Sequence, residues 1–143
     1  MTKLTSFIYC LNAERQPGAD GKGENLNAVG ILSSMTPEFI PGTFSFSIIF
    51  SVLGVDVKET NTIQIVFKSE DNQPLLDTGV ITLPPLDVDE GVQLPPEHRG
   101  YNMSMDFRNI VFEKNGVYHT EVFANGELLG SPEIYVQGRR GLG

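Results

Sequence analysis

The sequence predicts an all-β fold, an antiparallel β-sandwich of about eight strands, with a small β-barrel as the alternative. Two observations predict it. In residues 43–53, apolar and polar side chains alternate with period two, the repeat of a strand with one face in a core. Near the end of the chain, Asn125-Gly126 separates two runs of strand-forming residues. This dipeptide suits a two-residue hairpin turn, because both central positions of a type I′ turn need positive φ.

The strongest strand pattern, residues 43–53, assigns two faces. The predicted core face consists of Phe44, Phe46, Ile48, Phe50 and Val52. The opposite face carries serines, but Ile49 and Leu53 interrupt it. A strand that is apolar on both faces is usually covered on both. We therefore expect Ile49 and Leu53 to be covered by the chain's own loops or by a second subunit.

The first third of the chain contains two further predicted strands, Leu4–Leu11 and Asn25–Met35. Gly30 lies inside the second, where a glycine indicates a bulge or a close approach of backbone.

The remaining predicted strands follow turns rich in Asp, Asn, Gly and Pro. Residues 63–68 alternate and end at the turn Asp71–Pro74, and Leu75–Leu83 forms their partner. In the following strand, one face carries Tyr101, Met103, Met105 and Phe107. The last strands follow Asn115-Gly116, with Tyr118 and Val122 facing opposite to His119 and Glu121.

No helix is predicted. The two segments long enough for one, 12–24 and 84–99, are interrupted by glycines and prolines, four prolines in the second. Each interior proline costs a helix about 3 kcal/mol and each glycine nearly one.

Length, charge and cysteine content narrow the class of protein. The 143 residues fit one domain, which we place at 1–138, followed by a flexible basic tail at 139–143. A net charge of −8 disfavours binding to nucleic acid or to an anionic membrane. Cys10 is the only cysteine, which excludes an intrachain disulfide, and the first residues carry no apolar stretch of signal-peptide length. We expect a cytoplasmic protein without cofactors.

Five segments occur in a characteristic order: an opening strand ending at Cys10, residues 25–31, a turn at Pro41 before the Phe-rich strand, residues 116–118 and residues 125–130. Their order resembles that of a family of small bacterial and prophage-associated proteins of unknown function with an immunoglobulin-like β-sandwich fold. The resemblance spans nearly the whole chain and implies a fold but no activity or catalytic residues. Gly116-Val117-Tyr118 is also similar to the tyrosine corner of immunoglobulin-like domains, where the second cysteine would fall at Thr120.

Two loops contain acidic residues. Asp20 and Glu24 could hold calcium only with a further ligand such as Glu14, because Ca²⁺ takes six to eight oxygens, and a simple turn is the favoured interpretation. In the second loop, paired prolines flank Asp87, Asp89 and Glu90. This loop is either a recognition element for a basic partner, a weak Ca²⁺ site or a solvated surface loop.

The residues with catalytic potential are few. His98 and His119 lack a second histidine at metal-ligand spacing, and Zn²⁺ needs three or four ligands, so we predict surface histidines and no metal site. Cys10 lies among apolar residues and is predicted to be a buried thiol.

The sequence thus favours a non-catalytic protein that acts by protein binding or self-assembly. The candidate binding residues are Asp87, Asp89 and Glu90, and the sheet face or edge around Ile49 and Leu53. The alternative is a carbohydrate- or Ca²⁺-dependent ligand-binding module, for which Tyr101 and Tyr135 are the candidate exposed aromatics. A hydrolase that uses Cys10 with a histidine is the least favoured hypothesis.

Overall fold

The computed structural model describes residues 1–17, 24–86 and 94–141. Its secondary structure is almost entirely strand, with one 3₁₀ turn at Pro96–His98. In chain order the strands are β1 (Lys3–Pro17), β2 (Glu24–Ile31), β3 (Ser34–Met35), β4 (Phe39–Ile40), β5 (Gly42–Leu53), β6 (Asn61–Lys68), β7 (Pro74–Asp77), β8 (Ile81–Leu83), β9 (Gly100–Phe112), β10 (Gly116–Ala124), β11 (Glu127–Gly130), β12 (Glu133–Val136) and β13 (Arg140–Gly141).

The strands form two principal sheets, as the predicted all-β sandwich requires. One sheet has the order β2-β1-β5-β9, and the other has the order β3-β12-β10-β6-β7, with β11 on β10 and β8 on β6. The fold class is therefore confirmed, and the barrel alternative is wrong because the described strands do not close on themselves. Among the strand pairs whose register is described, β12–β3 and β13–β4 are parallel.

Within the chain, two compact units can be distinguished. One comprises Met1–Thr5, Ser51–Tyr101 and Tyr118–Glu133, and it contains the whole of β6, β7, β8 and β11. The other comprises Ser6–Phe50, Asn102–Val117 and Ile134–Gly143, and it contains the whole of β2, β3, β4 and β13.

Strand β5 has the two faces that its sequence predicts. Phe46, Ile48, Phe50 and Val52 are each 0% exposed and form part of the core. On the opposite face, the hydroxyl of Ser45 accepts a hydrogen bond from the Asn109 N–H at 2.9 Å, and the hydroxyl of Ser47 donates to Asp106 Oδ1 at 2.5 Å. The serine face is therefore bound to the neighbouring strand β9.

The boundaries of the first two strands differ from the prediction. Strand β1 continues to Pro17 because Cys10–Pro17 pairs with Glu24–Ile31 through the backbone. This pairing does not require an alternating pattern of apolar side chains. The predicted strand Asn25–Met35 is wrong as one element: β2 ends at Ile31, and β3 pairs with β12 in the other sheet.

The predicted strand Leu75–Leu83 is also two elements, β7 and β8, which both pair with β6. The break between them is held by side chains. The Asp77 carboxylate accepts from the Gly79 N–H at 2.8 Å, and the Thr78 hydroxyl accepts from the Ile65 N–H at 3.0 Å. Gly79 adopts φ 68°, which interrupts the strand.

The later strands follow the prediction closely. Tyr118 and Val122 are buried in β10, while His119 and Glu121 face the other way and are half-buried. Asn125 (φ 50°) and Gly126 (φ 80°) form the predicted two-residue turn to β11. In β9, Asn109 at φ 55° breaks the alternation, so that Phe107 and Ile110 are both buried three positions apart.

The segment predicted as a basic tail is paired where it is described. Its backbone donates from the N–H groups of Arg139 and Arg140 to the carbonyls of Pro37 and Glu38, at 2.9 Å each. Residues 142 and 143 lie outside the described chain.

Candidate binding surfaces

The acidic residues of the proline-flanked loop are not among those that the structure describes. Asp87, Asp89 and Glu90 belong to residues 87–93, and Asp20 of the candidate calcium loop belongs to residues 18–23. The role of both loops therefore stays a prediction. Just before residue 87, the Leu86 N–H donates a hydrogen bond to the carbonyl of Val57 at 2.8 Å. This bond attaches the start of the acidic loop to the fold.

The second candidate surface surrounds Ile49 and Leu53. Both side chains are half-buried on the face of β5 opposite the core. The expectation of a sheet edge here is wrong, because β5 lies between β1 and β9 and its backbone is paired on both sides. Whether Ile49 and Leu53 contact a partner stays a prediction.

The outer strands of the two sheets differ in how well they are protected against pairing with another chain. Strand β9 carries exposed Asp106 and Arg108 and the left-handed Asn109, which are features that discourage edge pairing. Strand β7 begins at Pro74, and β3 and β8 have only two and three residues. Short strands, charges and proline are the usual protections of an edge.

Strand β2 has fewer of these protections: its one charged residue, Glu24, is at its start, and its one left-handed residue, Gly30, is next to its end. It has eight residues, Glu24–Ile31, with no Lys, Arg or Pro among them. Ile31 is 70% exposed and Val29 is 44% exposed. Its main irregularity is Gly30 at φ 71°, over which the Leu11 side chain of β1 packs: a Cβ added at Gly30 would lie 2.8 Å from Leu11 Cδ1. Leu11 itself is 48% exposed. The β1–β2 hairpin thus presents apolar side chains at a sheet edge with which no further described strand pairs.

The same hairpin borders a cavity. Arg15 and Leu26, which pair across β1 and β2, line it together with Asn102, Met103 and Ser104 of β9. The Arg15 Nη2 donates to the Ser104 hydroxyl at 3.3 Å, so the hairpin reaches β9 by a side-chain contact between residues 89 apart in sequence. The five residues provide a cation, a hydroxyl, an amide and two apolar side chains.

Cys10 is buried as predicted, with 0% exposure. Burial raises the pKa of its thiol above the usual value for cysteine. Backbone hydrogen bonds at Val29 and Asn12 oppose this shift, and the negative charge of Asp106 adds to it. The thiolate is the reactive form of cysteine, so a buried thiol with a raised pKa is a poor nucleophile.

We expect two consequences of this burial. Iodoacetamide should alkylate Cys10 at least about a hundredfold more slowly in the folded protein than in urea. The free energy of unfolding should fall as pH rises above the unfolded-state pKa, because the unfolded chain then releases a proton that the folded chain retains. Cys10→Ala should remove that part of the pH dependence, as urea titrations between pH 7 and 10.5 would show. Equal alkylation rates in the two states would contradict the burial.

The histidines differ in their surroundings. His98 is exposed in the 3₁₀ turn. His119 is half-buried on β10, where its Nε2 lies 3.9 Å from Glu121 Oε2, and Glu121 Oε1 lies 2.8 Å from Lys68 Nζ. Lys68 and Glu121, whose charged atoms are 2.8 Å apart, form an ion pair, and His119 lies beside it on the same face of β10.

Of the two candidate aromatics, Tyr135 is 47% exposed and Tyr101 is half-buried. The Tyr101 hydroxyl accepts a hydrogen bond from Asn61 Nδ2 at 3.0 Å. Asn61 is a residue that the sequence did not single out. It is 6% exposed, and its amide also donates to the carbonyl of Asp56 at 2.9 Å and accepts from Asn125 Nδ2 at 3.0 Å.

Metal and membrane signatures were sought in the described residues. Within 1–17, 24–86 and 94–141, no three His, Cys, Asp or Glu side chains come together as a metal ion would require. In the same part of the chain, no helix has the length and apolar character needed to cross a membrane.

The chain was compared with known structures, curated proteins and protein families. Among solved structures, the chain is similar to an immunoglobulin-like protein from Pseudomonas aeruginosa, with 12% identity, a TM-score of 0.45 and coverage of 96% of this chain and 97% of that one. A likeness of that strength carries no argument. No curated protein matches the chain. A family model matches residues 18–137, and on that match the chain belongs to the family of unknown function DUF6941.

Proposed function

We propose that the chain is a non-catalytic module that binds an extended polypeptide strand along the edge of β2. The observation that carries this proposal is the contrast among the sheet edges: β2 is long, free of Lys, Arg and Pro, and has Ile31 70% exposed. The other edges are short, begin with proline or carry charges. A long edge with few protections is where strand addition is expected.

The physical basis is the backbone itself. An edge strand offers N–H and C=O groups that a partner strand can pair with, and apolar side chains such as Val29 and Ile31 add buried area to that pairing. The partner strand comes either from another protein or from a second copy of this chain.

A non-catalytic role in the cytoplasm is part of the same proposal. It is supported by the inaccessibility of the Cys10 thiol and by the presence of only one cysteine. The net charge of −8 supports a polypeptide partner over nucleic acid. A carbohydrate- or Ca²⁺-dependent function has no comparable observation in its favour within the described residues.

The test is Ile31→Lys, which places a charge at the end of β2 where the exposed apolar side chains lie, with Val80→Lys as the matched control. Val80 is 66% exposed, close to the exposure of Ile31, and lies outside the β2 edge. Sedimentation of the wild type from micromolar to millimolar concentration comes first, against the monomer mass of 15.7 kDa. A purified partner, if one is captured, is titrated by the same method.

We expect Ile31→Lys to weaken dimerisation or partner binding by at least about tenfold, and Val80→Lys to leave it unchanged. All three proteins should have the same circular dichroism spectrum and nearly equal stability. Binding or dimerisation that is equal in the wild type and in Ile31→Lys would overturn the proposal, because the β2 edge would then play no part.

A further inference from the structure

The backbone carbonyl of Ile31 faces the outer edge of the sheet that contains β2. Ile31 pairs with Cys10 of β1, and the N–H of the next residue, Leu32, donates a hydrogen bond to the carbonyl of Tyr9 at 2.8 Å. In a trans peptide, the C=O and the following N–H point in opposite directions. Since the Leu32 N–H points toward β1, the Ile31 carbonyl points away from β1, where an added strand would donate to it.

The same direction recurs at every second residue of β2. Pairing with β1 is continuous from Val29 back to the start of β2, and the register at Val29 is the same as at Ile31. In an antiparallel pair, residues whose N–H and C=O groups face the neighbouring strand alternate with residues whose groups face away from it. The residues that present backbone groups to the outer edge are therefore Asn25, Asn27, Val29 and Ile31.

These four residues divide β2 into a polar half, Asn25 and Asn27, and an apolar half, Val29 and Ile31. The asparagines carry uncharged amides, whereas Val29 and Ile31 are 44% and 70% exposed. Residues at alternate positions of a strand share one face, and residues directly opposite on paired strands contact each other through their side chains. A strand that pairs with the whole segment therefore needs apolar residues opposite the apolar half and uncharged polar residues opposite the polar half.

A second copy of this chain meets these needs poorly. If two β2 strands pair antiparallel over residues 25–31, Asn25 lies opposite Ile31 of the other copy. Asn27 then lies opposite Val29, so each asparagine faces an apolar side chain. Each copy also carries a net charge of −8, and like net charges oppose association. A segment of another protein is subject to neither restriction, and basic residues in it are attracted by the charge of this chain.

We propose that the β2 edge binds a segment of another protein that runs antiparallel to β2 and carries basic residues beyond the paired stretch. Read in its own direction, the segment has two apolar residues opposite the apolar half of β2, followed by two uncharged polar residues opposite the polar half. Antiparallel pairing is favoured because it is slightly more stable per residue than parallel pairing. This inference rests on the proposed function and names the class of partner that the edge selects.

The test uses the full chain, labelled with ¹⁵N, and the peptide acetyl-Val-Thr-Val-Thr-Thr-Thr-Thr-Lys-Lys-amide. Its control is the reversed sequence, acetyl-Lys-Lys-Thr-Thr-Thr-Thr-Val-Thr-Val-amide, which has the same composition but matches the pattern only when it runs parallel to β2. We expect saturable shifts of the Val29 and Ile31 amide signals with the first peptide. The reversed peptide should bind at least about fivefold more weakly.

Methylation of single peptide nitrogens tests which backbone groups take part. The N–H of the third peptide residue, opposite Val29, points toward β2, whereas the N–H of the fourth residue points away. Methylation of the third nitrogen should therefore weaken binding about tenfold or more, and methylation of the fourth by less than about threefold. Equal effects at the two positions would overturn the inference.

The remaining outcomes separate this inference from the proposed function. If the two sequences bind equally and Ile31→Lys abolishes both, the edge binds strands but does not select this pattern, and only the inference is overturned. Binding of neither peptide, or dimerisation of the wild type that is tighter than peptide binding, also overturns the inference alone. Peptide binding that is unchanged in Ile31→Lys overturns both, because the bound surface is then not the β2 edge.

Discussion

Phe46→Ala is expected to lower the free energy of unfolding by about 3–5 kcal/mol, the range for truncating a buried aromatic residue. Phe46 is 0% exposed, and its ring centroid lies 5.4 Å from that of Phe107 and 6.1 Å from that of Tyr9. The substitution removes these ring contacts and leaves a cavity that strands β1, β5 and β9 cannot fill without changing their pairing. A loss of this size is a large part of the total stability of a domain.

Urea unfolding followed by circular dichroism measures this effect as a change in the midpoint. Phe39→Ala is the matched control, because Phe39 is 50% exposed and should lose less than about 1 kcal/mol. A Phe46→Ala variant as stable as Phe39→Ala would show that the packing around Phe46 is not as described.

Asn61→Ala is expected to cost about 3 kcal/mol, through polar groups rather than packing. The Asn61 side chain connects the carbonyl of Asp56, the hydroxyl of Tyr101 and the amide of Asn125, with distances of 2.9–3.0 Å. Removing this side chain leaves its three partners without these hydrogen bonds in a partly buried region. Each partner group that finds no replacement bond lowers the free energy of unfolding by about 1–3 kcal/mol.

A double-mutant cycle with Asn125→Gly tests whether the network acts as described. Glycine keeps the positive φ of position 125 and removes only the side chain, which also accepts from the Thr62 N–H at 2.9 Å. We expect a coupling free energy between positions 61 and 125 of about 1 kcal/mol. Asn25→Ala, at an exposed position, should change stability by less than about 0.5 kcal/mol. Strict additivity of the two substitutions would contradict a direct contact.

Local patterns predicted the features of the fold that depend on neighbouring residues. The alternation in residues 43–53 predicted the buried face of β5, because side-chain period is a local property. The dipeptide Asn125-Gly126 predicted the turn between β10 and β11, because turn geometry is also local. The extension of β1 to Pro17 was missed, since backbone pairing with β2 stabilises that segment without an apolar pattern. The split at Thr78 was missed for a related reason: it depends on an Ile65 N–H in another strand.

The candidate sites depend on contacts that no local pattern contains. Arg15 meets Ser104 only because the hairpin reaches β9, and Asn61 meets Asn125 across 64 residues of sequence. The exposure of Ile31 could not be inferred from its apolar character, because that depends on whether β2 has a second neighbour in the sheet. Asn61 lies outside the predicted strand 63–68, so no local pattern marked it as part of a buried network.

The position of β6 between β7 and β10 has a consequence during synthesis of the chain. Strands β7 and β8 are complete about fifteen residues after β6 ends, but His119 and Ala124, which pair with Lys68 and Ile63, are synthesised about fifty to sixty residues after those partners. At roughly 5–20 residues per second, one edge of β6 waits about 3–12 s for its partner. During that time β6 can pair with β7 and β8 but not with β10, so Ile63, Ile65 and Phe67 have only part of the neighbours that bury them in the finished fold.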